Sequence, residues 1–490
     1  MLFSAPEFIF VFLPIVFLGY YLSVRIAGKT VGSAFLALAS LFFYAWWKPI
    51  YLPLIVVSIL VNYGVGSCLI RGSTKEGSGK RAWLILGIVF NLGLLGYFKY
   101  SWFAVETVAE VVGSSFRMEP LLLPLAISFF TFQQIAFLVD AYKGEVAPVS
   151  LPSYALFVSF FPQLIAGPIV HHREMMPQFA AEKRHWPTWL NVEQGLRIFL
   201  IGLAKKLIIA DTLARYADGG WSSVEHLSFY YAWGTTLCYT FQLYFDFSGY
   251  SDMALGAARF FGIHLPYNFN SPYKALSIQD FWKRWHMTLS RWLKEYLYIP
   301  MGGNRRGKLL TYRNLFITFL LGGIWHGAGW TFMIWGAMHG VGCMIHRWWS
   351  RFGIRIPGFV AWLITFVFVH IGWVFFRAPS LNAAWKMIEN MADIEDVYSR
   401  EIIVQMKRDL FNWQWLTPDY SAPGYYPVHM FPYLCIVGCI AFFARNSIQV
   451  ALESPMRTPL RSAIWYGLLG LACILVSIQA SESPFLYFNF

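Results

Sequence analysis

The sequence predicts an all-α, polytopic membrane protein, and three observations predict it. Of 490 residues, 57% are hydrophobic and only 13% are charged, about half the charged share of soluble domains. Aromatic residues reach 19%, with 45 Phe, 27 Tyr and 22 Trp. The apolar residues gather in runs close to the roughly 20 residues a helix needs to cross a bilayer. A soluble domain of this size could not hide so much apolar surface in one core, and disorder requires the opposite balance of charge and hydrophobicity. Six cysteines are too few to staple so long a chain, and they sit mostly inside apolar runs, where they read as small hydrophobes.

The first run, residues 7–24, has no basic residue before it and no small-residue cleavage site after it. It reads as a membrane helix and not as a removable signal. Further candidates follow at 31–47, 49–70, 82–99, 121–141, 153–170, 194–213, 228–250, 312–328, 330–348, 358–377, 431–445 and 462–480. About 11 to 13 spanning or re-entrant segments result, with no internal repeat of fixed period. The whole of 1–490 is expected to form a single integral-membrane domain.

The formal charge is +12. The cations cluster at the ends of apolar runs, as topology signals do, and no nucleic-acid-binding pattern accompanies them. The expected partner is the bilayer. Arg25 and Lys29 after the first run, and Arg71, Lys75, Lys80 and Arg81 after the third, place the N-terminus outside and the Gly/Ser-rich loop at 71–81 in the cytoplasm. Pro162, Gly167 and Pro168 break the helix ladder in FFPQLIAGPIV (160–170). That stretch either lines an internal cavity, where irregular backbone is tolerated, or is a kinked helix. Residues 383–424 are the most polar and read as surface-lying helices.

Ionisable groups inside apolar segments are costly and are functional candidates by default. Asp246 and Asp252, with Tyr250, lie in YTFQLYFDFSGYSDMALG (239–256). They either wall a substrate tunnel or are buried carboxylates held by a cation elsewhere. On a continuous helix, residues 280–298 put Trp282, Trp285, His286, Leu289, Trp292, Leu293 and Tyr296 on one face and Lys283, Arg284, Arg291 and Lys294 on the other. This is a basic amphipathic helix of the membrane-surface kind, with one titratable residue on its apolar side. In LLGGIWHGAGWTFMIWGAMHG (320–340), His326 follows Trp325 among glycines, and His339 comes 13 residues later. The glycines suit close approach of a backbone or a ligand. A neutral imidazole can serve as a general base for a hydroxyl. The loop GGNRRGK (302–308) brings Arg305 and Arg306, either to hold phosphates or as a positive-inside signal.

Taken together, FYAWW (43–47), GYFKY (96–100), LPLAISFFTFQ (123–133), FPQLIAGPI (161–169), QLYFDFSGYSDMALG (242–256), DFWKRWHMTLSRWL (280–293), GGNRRG (302–307), GGIWHGAGW (322–330) and GWVFFRA (372–378) resemble the membrane-bound O-acyltransferase family in order and spacing. Within it, the chain looks most like the bacterial branch of alginate O-acetylation proteins, peptidoglycan O-acetyltransferases and D-alanine exporters for teichoic acid. The resemblance implies a ring of tilted helices around a funnel or tunnel. It implies His326, in the WHG motif, as the catalytic residue, with His286 assisting and His339 as a second histidine after that motif. Trp325, Tyr250, Asp246 and Asp252 would support the tunnel. The end of the chain, PFLYFNF (484–490), is similar to an aromatic tail whose tyrosine is thought to relay the acyl group. Tyr487 matches it, although an aromatic belt is the alternative.

The resemblance also implies acetyl-coenzyme A or another acyl thioester as donor, with Lys283, Arg284, Arg291, Lys294, Arg305 and Arg306 attracting its phosphates. The expected activity is O-acetylation of an extracytoplasmic polysaccharide such as alginate, from the bacterial inner membrane and with a periplasmic acyltransferase as partner. Transfer of D-alanyl or another acyl group to a cell-wall polymer is the alternative. No metal and no permanently bound cofactor are expected. Two other classes stay open: a transporter of acyl groups or small solutes, and a scaffold without chemistry.

Overall fold

The computed structural model describes residues 1–71, 78–116, 118–180, 186–394, 430–453, 459–479 and 485–486. Most of the basic loop at 71–81, the polar stretch beyond Ile394 and Tyr487 therefore lie outside the described residues. Among the described residues no β-strand occurs. In chain order the helices are α1 (Leu13–Trp47), α2 (Leu52–Arg71), α3 (Ser78–Leu95), α4 (Ser101–Val112), α5 (Ile127–Tyr142), α6 (Leu151–Ser159), α7 (Phe161–Leu164), α8 (His172–Ala180), α9 (Trp189–Ala204), α10 (Asp211–Ser222) and α11 (Phe229–Phe260). They continue with α12 (Ile278–Trp282), α13 (Met287–Leu293), α14 (Lys308–His326), α15 (Trp330–Trp349), α16 (Gly358–Arg377), α17 (Leu381–Ala392), α18 (Met430–Phe443) and α19 (Pro459–Gln479).

Among the described residues, five helical stretches are long and apolar enough to cross a membrane: Glu7–Ala45, Pro49–Arg71, Gly79–Val112, Gly358–Arg377 and Leu460–Ile478. The chain is a multi-pass membrane protein. The first stretch contains two of the sequence candidates, because Gly28 takes φ 81 and interrupts α1 between them. At 39 residues and about 1.5 Å per residue it has the reach for two crossings. Helices α11, α14 and α15 are 32, 19 and 20 residues long, but the polar residues they bury lower their hydropathy. The region 153–170 is broken as its prolines predict, into α6, α7 and a non-helical stretch.

The chain divides into two compact units, each built from separate segments. The first comprises Met1–Leu203, Gly249–Asn268 and Ser447–Phe490, and the second Ala204–Ser248 and Phe269–Asn446. In the first unit, α2, α3 and α5 pack on one another and α1 packs on α6. Its interior polar groups satisfy each other: Asn62 and Asn91 exchange side-chain hydrogen bonds of 3.2 and 2.6 Å, and Gln134 links Ser58 to Tyr154. Such pairing is what an apolar surrounding demands of buried amides. The second unit is organised on the hairpin of α14 and α15, with α12 and α16 packed on α15.

Candidate active site

The hairpin explains the glycines around His326. A Cβ on Gly323 would lie 2.4 Å from the Phe332 carbonyl oxygen, and one on Gly336 would lie 2.6 Å from that of Phe319. The two helices touch backbone to backbone, an approach open only to the smallest residues. The sequence left open whether these glycines admit a ligand or a backbone; at Gly323 and Gly336 it is the facing backbone. Contact this close fixes His326, the last residue of α14, against the start of α15. The carbonyls of that helix end carry partial negative charge.

The segment carrying His286 departs from its expectation. It is not one amphipathic helix: α12 ends at Trp282, a turn follows, and α13 starts after His286. His286 itself has φ 42 and ψ 54, the left-handed region. Outside glycine this conformation costs about 1–3 kcal/mol and concentrates at functional sites; histidine is among the residues found there more often. The predicted division of faces survives the break in part, with Arg284, Arg291 and Tyr296 all half-buried. Trp282, Trp285, His286, Leu289, Trp292 and Leu293 are buried, while Lys283 and Lys294 are exposed.

These two devices bring the histidines together. The rings of His286 and His326 lie 6.5 Å apart between centroids, and both residues are buried. Aromatic rings enclose them. Trp325 is 4.9 Å from His326, Trp335 5.0 Å and Phe376 5.2 Å, while Phe247 stands edge-on to His286 at 4.8 Å. His339 also packs on Trp335, 4.7 Å from its ring, and its Nδ1 accepts the indole N–H of Trp282 at 3.2 Å. By contrast, the buried His370 has both ring nitrogens on threonines of α11, Thr240 at 2.8 Å and Thr236 at 3.2 Å; it is a packed structural histidine.

A cavity of about 680 Å³ opens beside this cluster. Its cations are Lys283, Lys294, Arg305, Arg306 and Arg347, and its apolar end carries Leu315, Phe319 and Trp282. None of the histidines lines it. Arg305 and Arg306 reach it from a loop in which Gly302, Gly303 and Gly307 all take positive φ. The fully buried Asn314 pins that loop by donating to the carbonyls of Met301 and Gly303 at 3.2 and 3.0 Å. Tyr298 also lines the cavity, and burial raises its phenol against the opposing pull of Arg347.

The remaining sequence candidates fall elsewhere. Arg284 is absent from the cavity wall; its Nε sits 2.9 Å from Asp280 Oδ1. Arg291 is half-buried on α13 and does not line the cavity either. Asp246 is 2.9 Å from Lys206 Nζ, which also holds Asp211 at 2.8 Å, the geometry of a carboxylate neutralised by a cation. Asp252 is buried on the part of α11 that belongs to the first unit. There Tyr250 stacks between Phe3 and Phe485, 4.7 Å from each ring. Phe485 is buried; Tyr487, two residues on, lies outside the described residues.

Three residues escaped the sequence reading: Asn314, Arg347 and Trp335. Arg347 was detectable, since His339, Cys343 and Arg347 follow at steps of four along α15 and share a stripe.

The membrane-bound O-acyltransferase family matches residues 94–385. The chain is 47% identical to a peptidoglycan O-acetyltransferase of Helicobacter pylori, over 100% of this chain and 98% of the relative. It is 45% identical to a probable alginate O-acetylase of Pseudomonas aeruginosa, over 80% of this chain and 75% of that protein. A teichoic acid D-alanyltransferase of Bacillus subtilis is 32% identical over 41% of this chain and 53% of its own length.

Proposed function

Because this chain belongs to the membrane-bound O-acyltransferase family and is an O-acyltransferase, we propose that it transfers acetyl from a cytoplasmic acyl thioester toward hydroxyls of an extracytoplasmic polysaccharide of the peptidoglycan or alginate kind. The observation that carries this reading is the pairing of His286 with His326 at 6.5 Å inside an aromatic enclosure, beside a cavity rich in cations.

At that spacing an attacking hydroxyl can reach one ring while the neighbouring carbonyl oxygen reaches the other. His326 removes the proton from the attacking hydroxyl. The oxygen bonds to the thioester carbonyl carbon, and the N–H of His286 steadies the oxyanion. The carbon–sulfur bond then breaks, and the leaving thiolate takes the proton from His326. The surrounding Trp325, Trp335 and Phe376 exclude water, which would otherwise compete as acceptor. Lys283, Lys294, Arg305, Arg306 and Arg347 hold an anionic donor such as coenzyme A by its phosphates.

The first acceptor in this reading is the phenol of Tyr487. Phenols and thiols have pKa values of about 10 and 8.5, so their esters are similarly activated, and passage to a sugar alcohol runs downhill. Phe485, two residues before Tyr487 in sequence, is buried against Tyr250. A periplasmic acyltransferase completes the transfer to the polymer. The bacterial inner membrane is where a cytoplasmic thioester and an envelope polymer face each other.

The test supplies purified protein in detergent with labelled acetyl thioester. Label on the protein or on added acceptor supports the reading; a transporter without chemistry leaves none. Intact-mass analysis of the C-terminal peptide checks the relay through a gain of about 42 Da on Tyr487, and an acetylated product without that gain removes the relay alone.

A further inference from the structure

We propose that Trp282 is the partition between the cationic cavity and the histidine pair, and that its indole restricts the transferred group to the size of an acetyl. The inference rests on the donor reading above and concerns which acyl groups that site accepts.

Trp282 takes part in both neighbourhoods. It lines the apolar end of the cavity, and it is the last residue of α12. Behind it, the ring stands 5.9 Å from Trp335 at 68°, and Trp335 in turn is 5.0 Å from His326. Between the cavity and the catalytic imidazoles the wall at this point is thus a pair of crossed indoles, and Trp282 is the one exposed to the donor side. Phosphates held by Arg305 and Arg306 leave the thioester end of the donor to extend toward this wall.

The ring is also fixed in place. Its N–H donates to His339 Nδ1 at 3.2 Å, and Phe319 closes on it at 5.1 Å. His339 is buried between Trp335 and Phe368, 4.7 and 5.5 Å away. To swing aside, Trp282 must give up the hydrogen bond and leave a buried acceptor on His339 unsatisfied. A clamped ring of this kind tolerates the single methyl of an acetyl but meets each further methylene of a longer chain. Shape selection of this sort discriminates about 10–200-fold per methylene.

This role accounts for two features the proton-transfer chemistry leaves unused. His339 is buried beside the site without lining the cavity, and in this scheme it is a positioning residue that anchors the partition. The tight packing of α12 on α15 holds the partition at a constant distance from His326.

The test is competition among acetyl, propionyl and butyryl thioesters in one reaction, using the full-length protein in detergent with Trp282→Leu and Trp282→Phe. Phe keeps an aromatic ring, so it reports even if Leu fails to fold. The expected result is strong acetyl preference in the wild type, a butyryl-to-acetyl ratio raised about tenfold or more in Trp282→Leu, and a smaller rise for propionyl in Trp282→Phe. A merely structural role would lower transfer of all three equally and leave the ratios fixed. Unchanged ratios in folded variants overturn the inference and leave the donor reading intact. A wild type that transfers no acyl group from any thioester overturns the donor reading, and this inference with it.

Discussion

His286 and His326 are separated by two helices' worth of sequence, yet their rings meet at 6.5 Å with planes inclined at 61°. Each is delivered by a local irregularity: a left-handed residue between α12 and α13 for His286, and the end of α14 for His326. Neither ring sits in the middle of a regular helix. In the proposed mechanism the helix-terminal ring is the base and the other ring is the donor.

If His286 only donates a hydrogen bond, a carboxamide can replace it. Asparagine also adopts the left-handed backbone that position 286 requires. His286→Asn should keep normal abundance and retain acetyl transfer within about tenfold, whereas His286→Ala should lose about 10²–10³-fold. Steady-state transfer rates per folded protein check this; equal loss in both variants would assign His286 a proton-transfer role instead.

Asn314 should govern donor affinity without touching the donor. Asn314→Ala removes both hydrogen bonds to the Met301 and Gly303 carbonyls, at about 1 kcal/mol each. The loop bearing Arg305 and Arg306 then loses its seat. The thioester KM should rise about tenfold, with kcat changed far less, and KM should become less sensitive to salt as the cations lose their hold.

The carboxylate of Asp246 is expected to matter for stability. Lys206→Met would strand Asp211 and Asp246 without their shared cation, a loss of about 3–5 kcal/mol for a buried pair. Thermal unfolding in detergent should show a much lower midpoint for Lys206→Met and a smaller fall for Asp246→Asn. A normal midpoint with lost transfer in Asp246→Asn would instead make this residue part of the substrate path.

Much of the fold class and the histidines were legible in the sequence, because an imidazole amid apolar residues stands out against any composition. The burial face of residues 280–293 was legible too, but the break within it was not. Helical periodicity carries on across the short turn that ends in the left-handed His286, so the pattern of Trp282, Trp285, Leu289 and Trp292 gives no sign of it. The engagement of Arg284 with Asp280 is an i, i+4 pair readable from spacing, whereas counting cations alone assigned Arg284 to the donor. The neutralisation of Asp246 by Lys206 could not be read, since the two sit on different helices and nothing in one sequence pairs them. Likewise, 22 tryptophans conceal that Trp282 and Trp335 stand against His339.

The most direct measurement of the central claim is acetyl transfer from labelled thioester by His326→Ala, normalised to folded protein in the membrane. The account predicts abundance and thermal midpoint close to wild type with transfer reduced to background. Transfer at the wild-type rate in that variant would contradict it.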